Sequence, residues 1–365
     1  MNNLFYRKYG VMERACQFSS ILSVILAVMV IGGSCQANTE DTELAGTDIP
    51  VVFNSSVVTV VSSISRGTPI TEADQTALQS LGVYAYFTGT NSFDPVTSTP
   101  NYMDDQLVSR TFSNNTPSDW TYSPVIYWPA TGNKLTFLSY APHSSKCSTL
   151  SLMAETGSAY PKMDFTVDSK IENQVDLLIA DPVIGCERNI GIIPLKMRHA
   201  LTLISFSAAV QNNTISGTMK VSKITISNVL SSGKTLTKTP VAWTDLSANT
   251  SYVLSIENGT LTDSAITTTM SLLNTAGSSL LLMPQPFNDN QAKITIEYSG
   301  ANETEKVYEE SFPICYTEAA WQPGIAINYQ ILLNADKVEM TASITPWEKK
   351  YFFGGDMENG NLPWE

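Results

Sequence analysis

Few residues in this 365-residue chain are of the types that do chemistry, and their spacing offers little for a reaction. Histidine occurs twice, at His143 and His199, so any Ser-His-Asp or Cys-His arrangement would have to recruit one of them. His143 stands in the loop-like run Ala-Pro-His-Ser-Ser and His199 near the start of a β-type run, and neither has a nucleophile elbow or a recognisable partner close in sequence. Cys147, Cys186 and Cys315 lie far apart, without the short spacings of a zinc or thioredoxin-like site. Their odd number cannot all pair; a Cys147–Cys186 disulfide and two buried, unpaired thiols both remain open. The paired acids Asp104-Asp105 and Glu309-Glu310 sit in β-type runs, where neighbours face opposite ways, so they read as solvated surface rather than as an acid and base acting on one bond. Phe287-Asn288-Asp289-Asn290 lacks the alternating carboxylates and terminal Glu of a calcium loop and reads as a polar turn. With no phosphate loop or dinucleotide fingerprint either, no enzyme activity, cofactor or metal is expected.

One cysteine does carry a chemical expectation. Arg7, Lys8 and Arg14 precede an apolar run at 21–31, too short to cross a bilayer, so residues 1–34 read as a signal peptide; Met12 is an alternative start. The run ends in Gly32-Gly33-Ser34-Cys35, which resembles a bacterial lipobox although Gly32 departs from its usual Leu. Cys35 is therefore the expected lipidation site, palmitate being one expected acyl group, and membrane attachment would come through that lipid. Removal of residues 1–34 takes the formal charge from −13 to −15. So acidic a chain is repelled by phosphate backbones, which excludes nucleic acid as a natural partner.

The elements that would carry any site are overwhelmingly β-type. Residues 35–49 are polar and acidic, as a tether is. Residues 51–61 are apolar and β-branched and read as a strand with a bend at 54–56; residues 71–81, TEADQTALQSL, are the best helix candidate. Residues 120–142 read as a hairpin, two aromatic and β-branched runs about a turn at Pro129, Gly132 and Asn133. Period-two alternation is clean at 293–298, 325–333 and 338–344, the last two joined as a hairpin. Further strands are expected at 81–89, 163–167, 175–180, 197–210 and 219–229. The five tryptophans from Trp120 to Trp347 sit beside apolar strands and are expected mostly in the core. The predicted fold is all-β, two antiparallel sandwiches over residues 50–194 and 195–365 with a boundary near Pro194 and a short C-terminal tail.

The succession LGVYAYFTG (81–89), NYMDDQL (101–107), the 120–142 region, VDLLIAD (175–181), MRHALTLISFS (197–207), LLLMPQP (280–286) and ITPWE (344–348) resembles the fimbrillin family, the pilin lipoproteins of Bacteroidales. Each motif is a strand signature; their order carries the resemblance. It implies two tandem sandwiches of transthyretin-like, Greek-key type, a structural role for His199, and export to the outer membrane and surface fimbriae. It also implies assembly by strand exchange: an arginine-specific protease cuts, the first strand leaves, and another pilin subunit fills the groove. Here the cut would fall between Arg66 and Gly67, since Arg66 is the only Lys or Arg between Cys35 and Arg110. The displaceable strand would be residues 51–61, with Val51, Phe53, Val58 and Val60 among its apolar residues. The alternative is a monomeric surface lipoprotein that binds a glycan, a host ligand or a bacterial surface ligand. The tail favours it, because Gly354, Gly355, Gly360 and Pro363 interrupt any long donor strand.

Overall fold

The computed structural model describes residues 48–57, 75–153, 157–211, 218–287, 291–300, 307–314, 321–334 and 338–346. Their strands are β1 (Val52–Val57), β2 (Ser80–Gly89), β3 (Met103–Ser109), β4 (Phe112–Ser113), β5 (Thr116–Pro117), β6 (Lys134–Ala141), β7 (Leu150–Met153), β8 (Lys162–Thr166), β9 (Leu178–Ala180) and β10 (Val183–Cys186). There follow β11 (Ile192–His199), β12 (Thr202–Val210), β13 (Lys220–Leu236), β14 (Thr244–Ser255), β15 (Ser271–Leu272), β16 (Leu280–Leu282), β17 (Lys293–Ser299), β18 (Val307–Pro313), β19 (Ile325–Leu333) and β20 (Val338–Pro346). The described residues hold no α-helix, and none long and apolar enough to cross a membrane. The expected helix at 71–81 is absent where it is described: residues 75–79 form a turn, and Leu78 and Leu81 are buried without a helix to carry them.

The first sheet has the order β1-β11-β9-β6-β2-β3, with β10 also on β6. It is buried on both faces by simple alternation. Leu135, Phe137 and Ala141 face one core with Val83, Ala85, Leu195 and Met197, while Leu138 and Tyr140 face another with Tyr84 and Tyr86. Gly82 is required for this packing, because a Cβ there would stand 2.2 Å from the Tyr140 ring. The second core continues between two further sheets, β15-β12-β19-β20 with β16 and β18-β17-β13-β8-β7 with β14. The result is the expected sandwich-like, all-β architecture. Among the described residues it is mostly antiparallel; two pairings, β1 with β11 and β12 with β19, are parallel.

One sequence expectation is corrected in detail. Residues 120–128 do not form the first arm of a hairpin with β6, whose neighbours are β2, β9 and β10. Pro124 and Pro129 supply no N–H to a ladder, and Trp120 and Trp128 are buried against the sheet face, so the segment covers the core instead of extending the sheet. Position 194 lies inside β11, and β7 and β8 share a sheet with β13 and β17. Residues Asp48–Glu365 form one unit by their contacts. The β19–β20 hairpin, by contrast, is as expected, in register from Ile325↔Pro346 to Leu333↔Val338.

Candidate functional site: the first strand and its groove

Strand β1 alternates exposed and buried from Val52 to Val57, so Val51, Phe53, Ser55 and Val57 all point into the core. It lies at the edge of the first sheet and pairs in parallel with β11, Phe53 beside Ile193, Ser55 beside Leu195 and Val57 beside Met197. Those three β11 side chains are fully buried. The Phe53 ring meets Phe137 edge-on at 5.8 Å and Tyr122 at 5.8 Å, which makes it the largest plug in the groove. Of the residues expected in the displaceable strand, Val51 and Phe53 are thus inward-facing. Val58, Val60, Arg66, Gly67 and Cys35 lie outside the described residues.

The start of the strand is held on its other side. Val51 N–H donates to the Ile126 carbonyl at 2.9 Å, Trp128 N–H donates to the Ile49 carbonyl at 2.8 Å, and the Tyr122 hydroxyl donates to the Val51 carbonyl at 2.7 Å. Burial pushes the Tyr122 hydroxyl pKa up, so it stays a neutral donor. The Tyr102 hydroxyl donates to the Tyr127 carbonyl and so braces the clamp segment. Asn101 exchanges hydrogen bonds with the Phe87 backbone, at 2.8 and 3.2 Å, acting as a strand residue by side chain. The NYMDDQL motif is therefore an architectural device that positions the clamp over β1. Tyr122, Trp128 and Ser55 were not singled out from the sequence as parts of the groove. The only hint for the first two was an aromatic segment with too many prolines for a strand.

Elsewhere the chemically suggestive residues serve the fold. His143 Nδ1 lies 2.8 Å from the Ser145 hydroxyl and 3.1 Å from its backbone N–H, while Nε2 lies 3.1 Å from the Asp105 carbonyl and 3.4 Å from its carboxylate. This superficially triad-like set is the cap of a single 3-10 turn, Ser144–Lys146. Asp105 is more engaged than the solvated surface expected, accepting from the Tyr140 hydroxyl at 2.7 Å. His199 is buried against Asp176 at 3.0 Å, a structural placement as expected. Cys147 and Cys186 are buried free thiols. Trp120, Trp128 and Trp321 are in the core, Trp243 is half-buried, and Trp347 and Cys315 lie outside the described residues.

A family model described as fimbrillin-like matches residues 68–347. The chain belongs to the fimbrillin-like family. Among curated proteins, this fimbrillin-like chain is 29% identical over 201 residues to fimbrium subunit Fim1C of Phocaeicola vulgatus, a match covering 50% of this chain and 49% of that one. The match thus spans about half the length of the curated relative. Among solved structures, a fimbrial protein from Bacteroides vulgatus is similar with a TM-score of 0.62 at 18% identity, covering 82% of this chain and 99% of that chain. A candidate cell adhesion protein from Bacteroides ovatus follows with a TM-score of 0.52 at 14% identity, covering 84% and 100%. At such identities the likeness establishes the fold alone.

Proposed function

We propose that this fimbrillin-like protein is a fimbrial subunit or an accessory or tip adhesin, exported as a lipoprotein through Cys35 and assembled by strand exchange with other pilin subunits at the outer membrane. The role is structural and adhesive, with no reaction assigned to it. The observation that carries the reading is the placement of β1, an edge strand joined to its sheet by one short parallel ladder, upstream of Arg66. Parallel pairing is slightly weaker per residue than antiparallel, and an edge strand can leave without breaking the sheet. Pro194 supports the same reading. Proline is confined largely to sheet edges, and β11, which carries it, becomes the edge once β1 is gone.

While attached, β1 competes for its groove at an effective concentration that no free strand reaches. A cut between Arg66 and Gly67 turns it into a dissociable peptide, and a neighbour's strand can take the same main-chain bonds and pockets. Arg66→Ala is expected to leave a folded monomer, still labelled by a tagged fatty acid at Cys35, that resists an arginine-specific protease and forms no ladder on unheated denaturing gels. Wild type after proteolysis begins at Gly67. Assembled or surface-exposed protein that retains residues 36–66 would overturn strand exchange by this route; loss of label in Cys35→Ser but not in Arg66→Ala tests the lipid separately.

A second reading, a monomeric lipoprotein that binds a glycan or host ligand, is favoured by a cleft of about 1490 Å³ of mixed lining, with Ser109, Thr111, Lys146 and Lys170 beside Ile171 and Val253. Neither lysine makes an ion pair among the described residues. Retention of residues 36–66 together with adhesion of the intact monomer would favour it.

A further inference from the structure

The four inward-facing side chains of residues 51–57 are not equally suited to their pockets. Val51, Phe53 and Val57 are hydrocarbon in a hydrocarbon core, whereas Ser55, only 6% exposed, places a hydroxyl there. Its register partner is Leu195, fully buried, and its neighbours on the same face of β1 are Phe53 and Val57. The Ser55 hydroxyl is buried and has no hydrogen-bond partner among the described residues. A hydroxyl taken out of water without a partner opposes burial, and an aliphatic side chain at the same place would favour it. The resident strand therefore fits its groove at three positions and mismatches at the third of four.

We propose that this third pocket is built for an aliphatic side chain carried by the incoming strand of another fimbrial subunit, and that Ser55 keeps the resident strand replaceable. The inference rests on the strand-exchange reading above and adds to it the chemistry of the partner. Main-chain hydrogen bonds are equally available to any extended segment, so discrimination between resident and donor must come from the pockets. The donor is accordingly an extended segment with apolar side chains at alternate positions and an aliphatic one, rather than serine, opposite Leu195. Ser56, its neighbour on the exposed face of the same strand, offers an internal control for strand propensity.

The test uses the full chain. Hydrogen exchange of the backbone amides of residues 49–57 is measured in Ser55→Ala and Ser55→Val, each against the same change at Ser56. Alanine removes the hydroxyl without adding volume, so overpacking cannot mask the effect, and valine fills the pocket. Exchange is expected to slow about tenfold in at least one Ser55 variant relative to its Ser56 counterpart. Equal rates at the two positions, or faster exchange in both Ser55 variants, would overturn the proposal. A second arm adds synthetic peptides of residues 48–60 to protein cut after Arg66. A peptide with alanine or valine at position 55 is expected to displace the cut strand at about one tenth the concentration of the native peptide. If no peptide enters at all, strand exchange itself fails, while the amide rates still decide the pocket's preference. Equal potency of native and substituted peptides counts against the proposal in the same way as equal exchange rates.

Discussion

Asp181 shows how one side chain can tie three parts of this fold together. It stands just after β9, accepts from Arg198 Nε at 2.6 Å and Nη2 at 2.7 Å on β11, and accepts from the Thr239 hydroxyl at 2.7 Å. Burial pushes its carboxyl pKa up, but the hydrogen bonds from Arg198 and Thr239 and the charges of Arg198 and Lys196 outweigh that and hold it below the usual carboxylate range. A depressed carboxylate stabilises the fold above its unfolded pKa, near 3.9, and the contribution is lost as pH falls through the folded value. Both side chains of the pair are about 30% exposed, so screening keeps the effect modest. Asp181→Asn is expected to cost about 1 kcal/mol at pH 7 and progressively less below about pH 4, measured by urea denaturation at both ends of that window. A cost that does not change with pH would remove the electrostatic explanation. The buried His199–Asp176 pair belongs to the same scale: the family resemblance implied a structural role for the histidine, and it lies buried against a carboxylate.

Among the elements, β1 is the one whose stability bears on function, and two sets of interactions hold it. The parallel ladder to β11 covers the whole strand, whereas the clamp by 126–128 holds Ile49 and Val51 just before it. The Tyr122 hydroxyl is the side-chain part of that clamp, with Val51 as its acceptor. Tyr122→Phe keeps the ring against Phe53 and removes the donor. Amide exchange in residues 49–57 is expected to be about fivefold faster in this variant, as loss of about 1 kcal/mol implies, with the rest of the first sheet unaffected. Unchanged exchange would mean that the two backbone bonds of the clamp suffice. Strands with plain alternation, such as β17, β19 and β20, were legible from period two alone. Residues 120–128 were not, because the same aromatic composition suits a strand and a covering segment, and only the placement of Trp120 and Trp128 over the sheet face distinguishes them.

Across the whole molecule the decisive feature is that one core runs through all three large sheets. Tyr84 and Tyr140 of the first sheet, Phe206 and Tyr329 of the second, and Ile224 and Ile296 of the third belong to a single buried cluster. Within the third sheet, strand β13 pairs with β17 through Ser227 and with β8 from Ser232 to Leu236. Shared cores unfold together. The protein is expected to melt in one calorimetric transition whose enthalpy equals its van't Hoff enthalpy; two resolved transitions would instead support a thermodynamic division near Pro194.

The sequence by itself determined the fold class, the period-two strands and, through the order of its strand motifs, the family. These are local properties: alternation, turn residues and residue type act within a few positions along the chain. The tertiary structure alone decided that β1 is an edge strand in parallel register with β11, that Tyr122 and Tyr102 build a clamp over it, and that Ser55 faces an apolar pocket without a partner. Which strands become neighbours depends on contacts between residues more than a hundred positions apart, and register across such a distance is set by packing of both faces rather than by any signal within the strand.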